Sequence, residues 1–138
     1  MATVYDINPN QLIDKAAEEL KKLVKTPSWT MYVKTGAGRE RPPISKDWYY
    51  KRLAALLRKV YLNGPIGVNK LRVKYGKRKS VGMAGDRIFK GSGKIIRTCL
   101  QELEKLQFVK KVEKGVHKGK IITGKGKSFL DKLAKQIK

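Results

Sequence analysis

The chain has 138 residues, of which 33 are lysine or arginine and 11 are acidic, so its formal net charge is +22. This length predicts a single domain, residues 1–138, with a buried core. No apolar run approaches the about 20 residues that a membrane span needs and no secretory leader is visible, so we expect a complete cytoplasmic protein. One cysteine, Cys99, and one histidine exclude a disulfide within the chain and predict no metal site or other cofactor.

The excess of positive charge predicts a polyanionic partner, because like charges at this density oppose compaction unless anions neutralise them. Residues 48–101 carry fourteen basic residues and one acid, Asp86, whereas residues 1–24 carry three lysines and four acids. Charge alone does not decide whether the partner is a nucleic acid or an anionic membrane surface. The 41% of hydrophobic residues, regularly spaced, indicates a folded domain and not a disordered basic tail.

Apolar residues at three- and four-residue spacing predict five helices. The first begins after an Asn8 cap, with Pro9 at its first position, and ends near Lys25. Residues 26–44 are rich in proline and glycine and are predicted to form a long ordered loop. Three of its apolar side chains are expected to anchor it to the core: Trp29, Tyr32 and Val33.

The central helices are predicted from their caps and terminators. The second is predicted over residues 46–62, with Ser45 as its cap. The third is predicted over residues 68–75, with Gly76 as a left-handed terminator. The basic residues 77–79 and the glycine-rich stretch 82–93 are then expected to be loops.

A change of period after the fourth helix predicts the fold class. The fourth helix is predicted to begin after a Ser92 cap. Two short apolar runs on either side of a turn then predict a β-hairpin within residues 107–123. Thr123 is predicted to cap a fifth helix. This order predicts a mainly α winged helix, which is a helix-turn-helix with a β-hairpin wing, with extra N- and C-terminal helices. The alternative is a small helical bundle whose basic faces only keep it soluble.

Basic side chains on the second helix, after the third and around the start of the fourth can contact phosphates, and a helix start adds the partial charge of its free N–H groups. Trp48 either stacks on an unpaired base or packs against residues 26–44. The twelve candidate nucleic-acid contacts are Trp48, Lys51, Arg52, Arg58, Lys59, Lys77, Arg78, Lys79, Arg87, Lys90, Lys94 and Arg97. Further lysines are expected on the wing: Lys110, Lys111, Lys114, Lys118 and Lys120.

Two sequence signals of catalysis fail, so no enzyme is predicted. The segment 91–94 resembles the end of a P-loop, but Ile95 stands where that motif needs serine or threonine. Cys99 lies on the apolar side of its helix, with no histidine at motif spacing. His117 is interpreted as a polar turn residue.

Five short segments then stand out in order along the chain: Trp48-Tyr49-Tyr50-Lys51-Arg52, Tyr61-Leu62-Asn63-Gly64, Tyr75-Gly76-Lys77-Arg78, Gly91-Ser92 and Leu100-Gln101-Glu102-Leu103-Glu104-Lys105-Leu106. Together they resemble the archaeal and eukaryotic small-subunit ribosomal protein family S19e, and the short C-terminus resembles archaeal members. The resemblance implies a winged-helix protein of the small-subunit head, needed for maturation of the subunit and its precursor rRNA. The family's exposed basic residues correspond by position to Arg52, Arg58 and Arg97.

We therefore expect a structural protein of the cytoplasmic ribosome, monomeric when free, whose partners are small-subunit rRNA and neighbouring ribosomal proteins, with no membrane or small-molecule substrate. The alternative is a winged-helix transcription factor that reads duplex DNA with its fourth helix. Positive charge spread over several elements argues against it. An rRNA-processing enzyme would need clustered carboxylates. Among Asp47, Asp86, Glu102 and Glu104, only the last two are close in sequence, and residues two apart do not share a helix face.

Overall fold

A computed structural model describes residues 3–113 and 115–137. In these residues, five helices and two small antiparallel sheets form a mixed α/β structure in which helices predominate. The helices are α1 (Pro9–Leu23), α2 (Trp48–Asn63), α3 (Val68–Lys74), α4 (Gly93–Lys105) and α5 (Gly124–Ile137), with a short 3₁₀ helix at Ser28–Met31. The strands are β1 (Lys77–Val81), β2 (Ala84–Phe89), β3 (Val109–Val112) and β4 (Gly119–Ile122).

Side-chain caps start α1 and α5 as predicted. The Asn8 side-chain oxygen accepts a 3.0 Å hydrogen bond from the Asn10 N–H, and the Thr123 hydroxyl accepts a 3.3 Å bond from the Gly126 N–H. The predicted cap of α2, Ser45, is wrong. Asp47 occupies that position without capping the helix through its side chain, and its carboxylate instead forms a 2.9 Å ion pair with Lys21 of α1.

The inward stripes of α1, α2, α4 and α5 meet in one apolar cluster. The apolar side of α2 is entirely buried: Tyr49, Leu53, Leu56, Leu57 and Val60. Cys99 of α4 is buried in the same cluster, and burial raises the pKa of its thiol to about 12, so it stays protonated and acts as a core residue. Of the predicted anchors in residues 26–44, Trp29 and Val33 pack against the core, whereas Tyr32 is 84% exposed and does not.

Residues 77–89 form a β-hairpin where loops were predicted. Strands β1 and β2 pair from Lys77 opposite Phe89 outward, and Gly82 and Met83 make the turn, with Gly82 at a φ of +78°. Glycine at the first position of a two-residue turn is favoured because it accepts a positive φ. Residues 80–88 are all exposed, so no face of this hairpin needs the apolar alternation by which strands are recognised in a sequence.

Gly76 has a different role from the predicted left-handed terminator, because its φ is not positive. A side-chain carbon at this position would lie 2.8 Å from the carbonyl oxygen of Phe89 and 3.1 Å from that of Val73. The end of β2 thus returns directly over the end of α3, and only glycine leaves room for that approach.

The second hairpin, β3–β4, confirms the predicted wing position after α4. It is joined to the segment before α3 by two backbone hydrogen bonds between Ile66 and Lys120, of 3.1 and 3.0 Å. Three helices, a hairpin after the last of them and this bridge are consistent with a winged helix. The additional hairpin β1–β2 lies between α3 and α4.

Gly126 tests how closely α5 packs on the wing. A side-chain carbon there would overlap the Phe108 carbonyl oxygen, which accepts two hydrogen bonds from Thr123. In a helix interior, alanine is about 1 kcal/mol more stabilising than glycine. Because of the overlap, we nevertheless expect Gly126→Ala to lower the free energy of unfolding by about 1–3 kcal/mol, measured by urea denaturation. In the control Gly124→Ala, the added carbon has no atom within 4 Å, so this variant should not be destabilised. An equal increase in the free energy of unfolding of both variants would contradict close packing at Gly126.

Candidate nucleic-acid interface

Two cations of α2 lie against the ring of Tyr75, which directly follows α3. Arg52 and Lys59 are seven residues apart, about two helical turns, and so share one face of α2. The guanidinium carbon of Arg52 is 4.0 Å from the ring centroid and the Nζ of Lys59 is 3.7 Å from it. Cations within about 6 Å of an aromatic face are attracted to it, so the ring holds both side chains in place.

The surroundings of these two cations oppose their charge. Burial is the largest cause that lowers the pKa of Arg52, and Arg39 lowers it further. Burial also lowers the pKa of Lys59, followed by the like charges of Lys74, Arg52 and Arg58. We define the Tyr75 cluster as the two cations that contact the Tyr75 ring, Arg52 and Lys59, together with the two further cations whose charges act on Lys59, Arg58 and Lys74.

No carboxylate neutralises the Tyr75 cluster within residues 3–113 and 115–137. All six ion pairs formed there use other lysines, and no arginine takes part. The buried Nε of Arg58 has no hydrogen-bond partner, and the Nζ of Lys74 donates only to the neutral amide oxygen of Asn63, at 2.9 Å. The cluster is therefore a site of uncompensated positive charge.

Two other predicted contacts of α2 have partners elsewhere in the protein. Lys51 forms a 2.8 Å ion pair with Asp14 of α1, which raises its pKa, so it is not one of the unpaired cations. Trp48 is half-buried, meets the Tyr49 ring edge-on at 5.9 Å and lines two grooves beside residues 26–45. It packs near that segment and still presents surface to a groove.

The hairpin β1–β2 carries four predicted contacts. Lys77, Arg78 and Arg87 are exposed, and Lys79 is half-buried opposite Arg87 in the strand register. Because successive side chains of a strand point to opposite faces, Arg78 lies on the other face from Lys77 and Lys79. Like charges directly opposite one another also destabilise a strand pair, so a bound anion would stabilise this hairpin.

The start of α4 holds the remaining three predicted contacts, Lys90, Lys94 and Arg97, all exposed. The Nζ of Lys94 lies 5.6 Å from the centroid of the Trp29 ring. Arg72 of α3 was not predicted as a contact, and its Nε donates a 3.1 Å hydrogen bond to the Gly91 carbonyl oxygen. That bond fixes α4 relative to α3 and so positions the three cations.

Arg39 and Arg41 are cations that sequence reasoning missed. Both line a groove of about 490 Å³ between residues 35–45 and α2, which also reaches Arg52, Trp48 and Tyr75. The available signal was the pair of arginines around Glu40 in a segment interpreted only as a connection. The groove links that segment to the Tyr75 cluster.

The wing lysines are less available than expected. Lys120 forms a 2.6 Å ion pair with Glu104 and Lys111 pairs with Glu113, whereas Lys110 and Lys118 are exposed. Lys114 lies outside the described residues. The wing therefore adds less unpaired charge than α2 does.

The described part of the chain offers no group of three or more histidine, cysteine or acidic side chains that could hold a metal ion. Within the same residues, no helix has the length and apolar character to cross a membrane.

Comparison with known proteins gives consistent results over nearly the whole chain. The model of the family described as "Ribosomal protein S19e" matches residues 3–138. The chain is 43% identical to "Small ribosomal subunit protein eS19" of Haloarcula marismortui, covering 97% of this chain and 90% of the relative. It is 38% identical to the protein of that name from Thermoplasma acidophilum, covering 99% and 90%. It is 36% identical to "Small ribosomal subunit protein eS19G" of Ascaris suum, covering 99% and 92%. The match confirms the resemblance drawn from the sequence: the chain belongs to the ribosomal protein S19e family.

Proposed function

We propose that the chain is a non-enzymatic constituent of the small ribosomal subunit that binds rRNA in the subunit head. The observation that supports this most strongly is the Tyr75 cluster. Its cations are crowded and without carboxylate partners, and three of them, Arg52, Arg58 and Lys59, are partly buried, which raises the free energy of the free protein. Phosphate groups would supply the missing negative charge, and the counterions that they release would add to affinity.

The spread of cations favours folded RNA over duplex DNA as the ligand. Unpaired cations occupy α2, both faces of β1–β2, the start of α4 and the 35–45 segment. A winged-helix DNA reader would concentrate its contacts on one recognition helix, here α4. A surface with several charged elements suits RNA helices that approach from more than one direction.

The winged-helix assignment is part of this proposal. The bridge between Ile66 and Lys120 supports it, because it joins the wing to the segment between the first two helices of the three-helix unit. The other partners that we propose are neighbouring small-subunit proteins, with roles in subunit assembly and precursor-rRNA maturation. We further propose that the free chain is a cytoplasmic monomer of one domain.

Neutralising three residues of the Tyr75 cluster tests rRNA binding. We expect Arg52→Gln, Arg58→Gln and Lys59→Gln together to weaken binding to a small-subunit rRNA transcript at least tenfold. The slope of log affinity against log salt should become shallower by about 2–3, at about 0.7–0.9 per lost phosphate contact. Glutamine retains part of the packing of Arg52 on Tyr75, so thermal unfolding should change little.

The matched control removes the same charge from α5, through Lys127→Gln, Lys132→Gln and Lys135→Gln, which are exposed positions. It should retain the affinity and nearly the full salt slope. Equal losses in the two triple variants would mean that net charge, and not this surface, drives binding, and the proposal would then be wrong.

The pKa of Lys59 tests the crowding directly. In the free protein it should lie below the ordinary 10.5, because burial and the charges of Lys74, Arg52 and Arg58 all disfavour protonation. Lys74→Gln should raise it and Lys127→Gln should not, as measured by NMR titration of the side chain. Because the unfolded chain then binds more protons, stability should rise with pH between the lowered pKa and 10.5. A Lys59 pKa at or above 10.5 would contradict the crowding.

A further inference from the structure

The groove between α2 and residues 35–45 has a composition that phosphate contact alone does not explain. Its volume is about 490 Å³ and it is open to solvent. Trp48 contributes aromatic surface, Pro43 adds an apolar wall and Arg39, Arg41 and Arg52 supply cations. The Tyr75 ring also lines the groove, but it already contacts Arg52 and Lys59. Phosphate needs only the cations, so the aromatic part of the groove points to a flat, apolar group.

The loop wall of this groove is held in place without a ligand. The Ser92 N–H donates a 3.0 Å hydrogen bond to the Thr35 carbonyl, and Gly36 bridges to Gly91 at the start of α4. A side-chain carbon on Gly38 would lie 3.0 Å from the Lys77 carbonyl oxygen, so the segment lies directly against the base of β1. A preformed wall lowers the ordering cost of binding.

The charge of the groove is open to an anion. Within residues 3–113 and 115–137, no carboxylate lies in salt-bridge range of Arg39, Arg41 or Arg52. The fourth cation of the lining, Lys51, is already paired with Asp14. Planar guanidinium groups suit phosphate oxygens, which they contact with two parallel N–H groups.

We propose that this groove binds one unpaired nucleotide of the bound RNA, with its base beside Trp48 and its phosphate at Arg39, Arg41 and Arg52. The inference rests on the proposed rRNA binding and adds a specific ligand class to it. Paired bases keep their faces inside the RNA helix, so only a bulged or looped nucleotide offers both groups to one groove. The acidic tail of a neighbouring protein would satisfy the arginines and leave the aromatic surface unexplained.

The test compares two RNA hairpins that differ in one bulged 2-aminopurine nucleotide. Stacking of a base on an aromatic side chain changes affinity about 5- to 150-fold. The full chain should bind the bulged hairpin at least about fivefold more tightly, with quenching of both 2-aminopurine and tryptophan emission. Trp29→Phe, which leaves Trp48 as the single tryptophan, should retain the quenching.

The matched variants separate this groove from general charge. Arg39→Gln with Arg41→Gln should abolish the preference for the bulge, whereas Lys25→Gln with Lys34→Gln, exposed and outside the groove, should retain it. Ultraviolet crosslinking of the unmodified chain to the bulged hairpin should place the nucleotide adduct on the peptide with Trp48 or on that with Tyr75. This measurement needs no variant to fold.

Equal binding of the two hairpins, or adducts only on other peptides, would overturn the groove proposal. Displacement of the bulged hairpin by a polyglutamate peptide at equal phosphate and carboxylate concentration would assign the groove to a protein tail instead. If rRNA binding persists in either case and still depends on Arg52, Arg58 and Lys59, the proposed function stands. Loss of specific rRNA binding by the unmodified chain would overturn both.

Discussion

A small core must hold together a chain that carries 22 more positive than negative charges. Only a few of these charges are compensated by ion pairs within the described residues. Lysines such as Lys21 and Lys51 pair with the few acids and connect α1 to α2, whereas the arginines stay outside every ion pair of the described residues. Arginine is the better phosphate ligand because its planar group contacts two oxygens at once. The acids thus connect α1 to α2, and Arg39, Arg41, Arg52 and Arg58 keep their charge uncompensated.

The core explains why unpaired charge can be tolerated. Helix α2 buries one side completely in the apolar cluster and carries Arg52 and Lys59 on the other, so one helix connects packing to the proposed function. Tyr75 stabilises this arrangement because its ring attracts cations without neutralising them. A carboxylate at that place would relieve the crowding and remove the reason to bind phosphate.

Helices α1, α2, α4 and α5 could be predicted from the sequence because each has a buried stripe with helical spacing, whereas the short α3, which buries only Leu71, was predicted from the glycine that follows it. The hairpin β1–β2 could not, since both its faces are exposed and nothing selects for alternation. The candidate cations of α2 followed from the exposed side of the same helix. The partners of Lys51 and Lys120 and the groove at Arg39 depend on contacts between segments distant in sequence, which composition and period do not encode.

The exposed hairpin β1–β2 also differs from the core in how easily it opens locally. Met83 at its tip is fully exposed and Ile88 near its base is 69% exposed, so this hairpin contributes almost nothing to the common core. Segments that bury little apolar surface open locally at a small fraction of the cost of global unfolding. The amide hydrogens of this hairpin are therefore expected to exchange with solvent faster than those of α2, and a bound partner can reshape it at a lower free-energy cost than any part of the core.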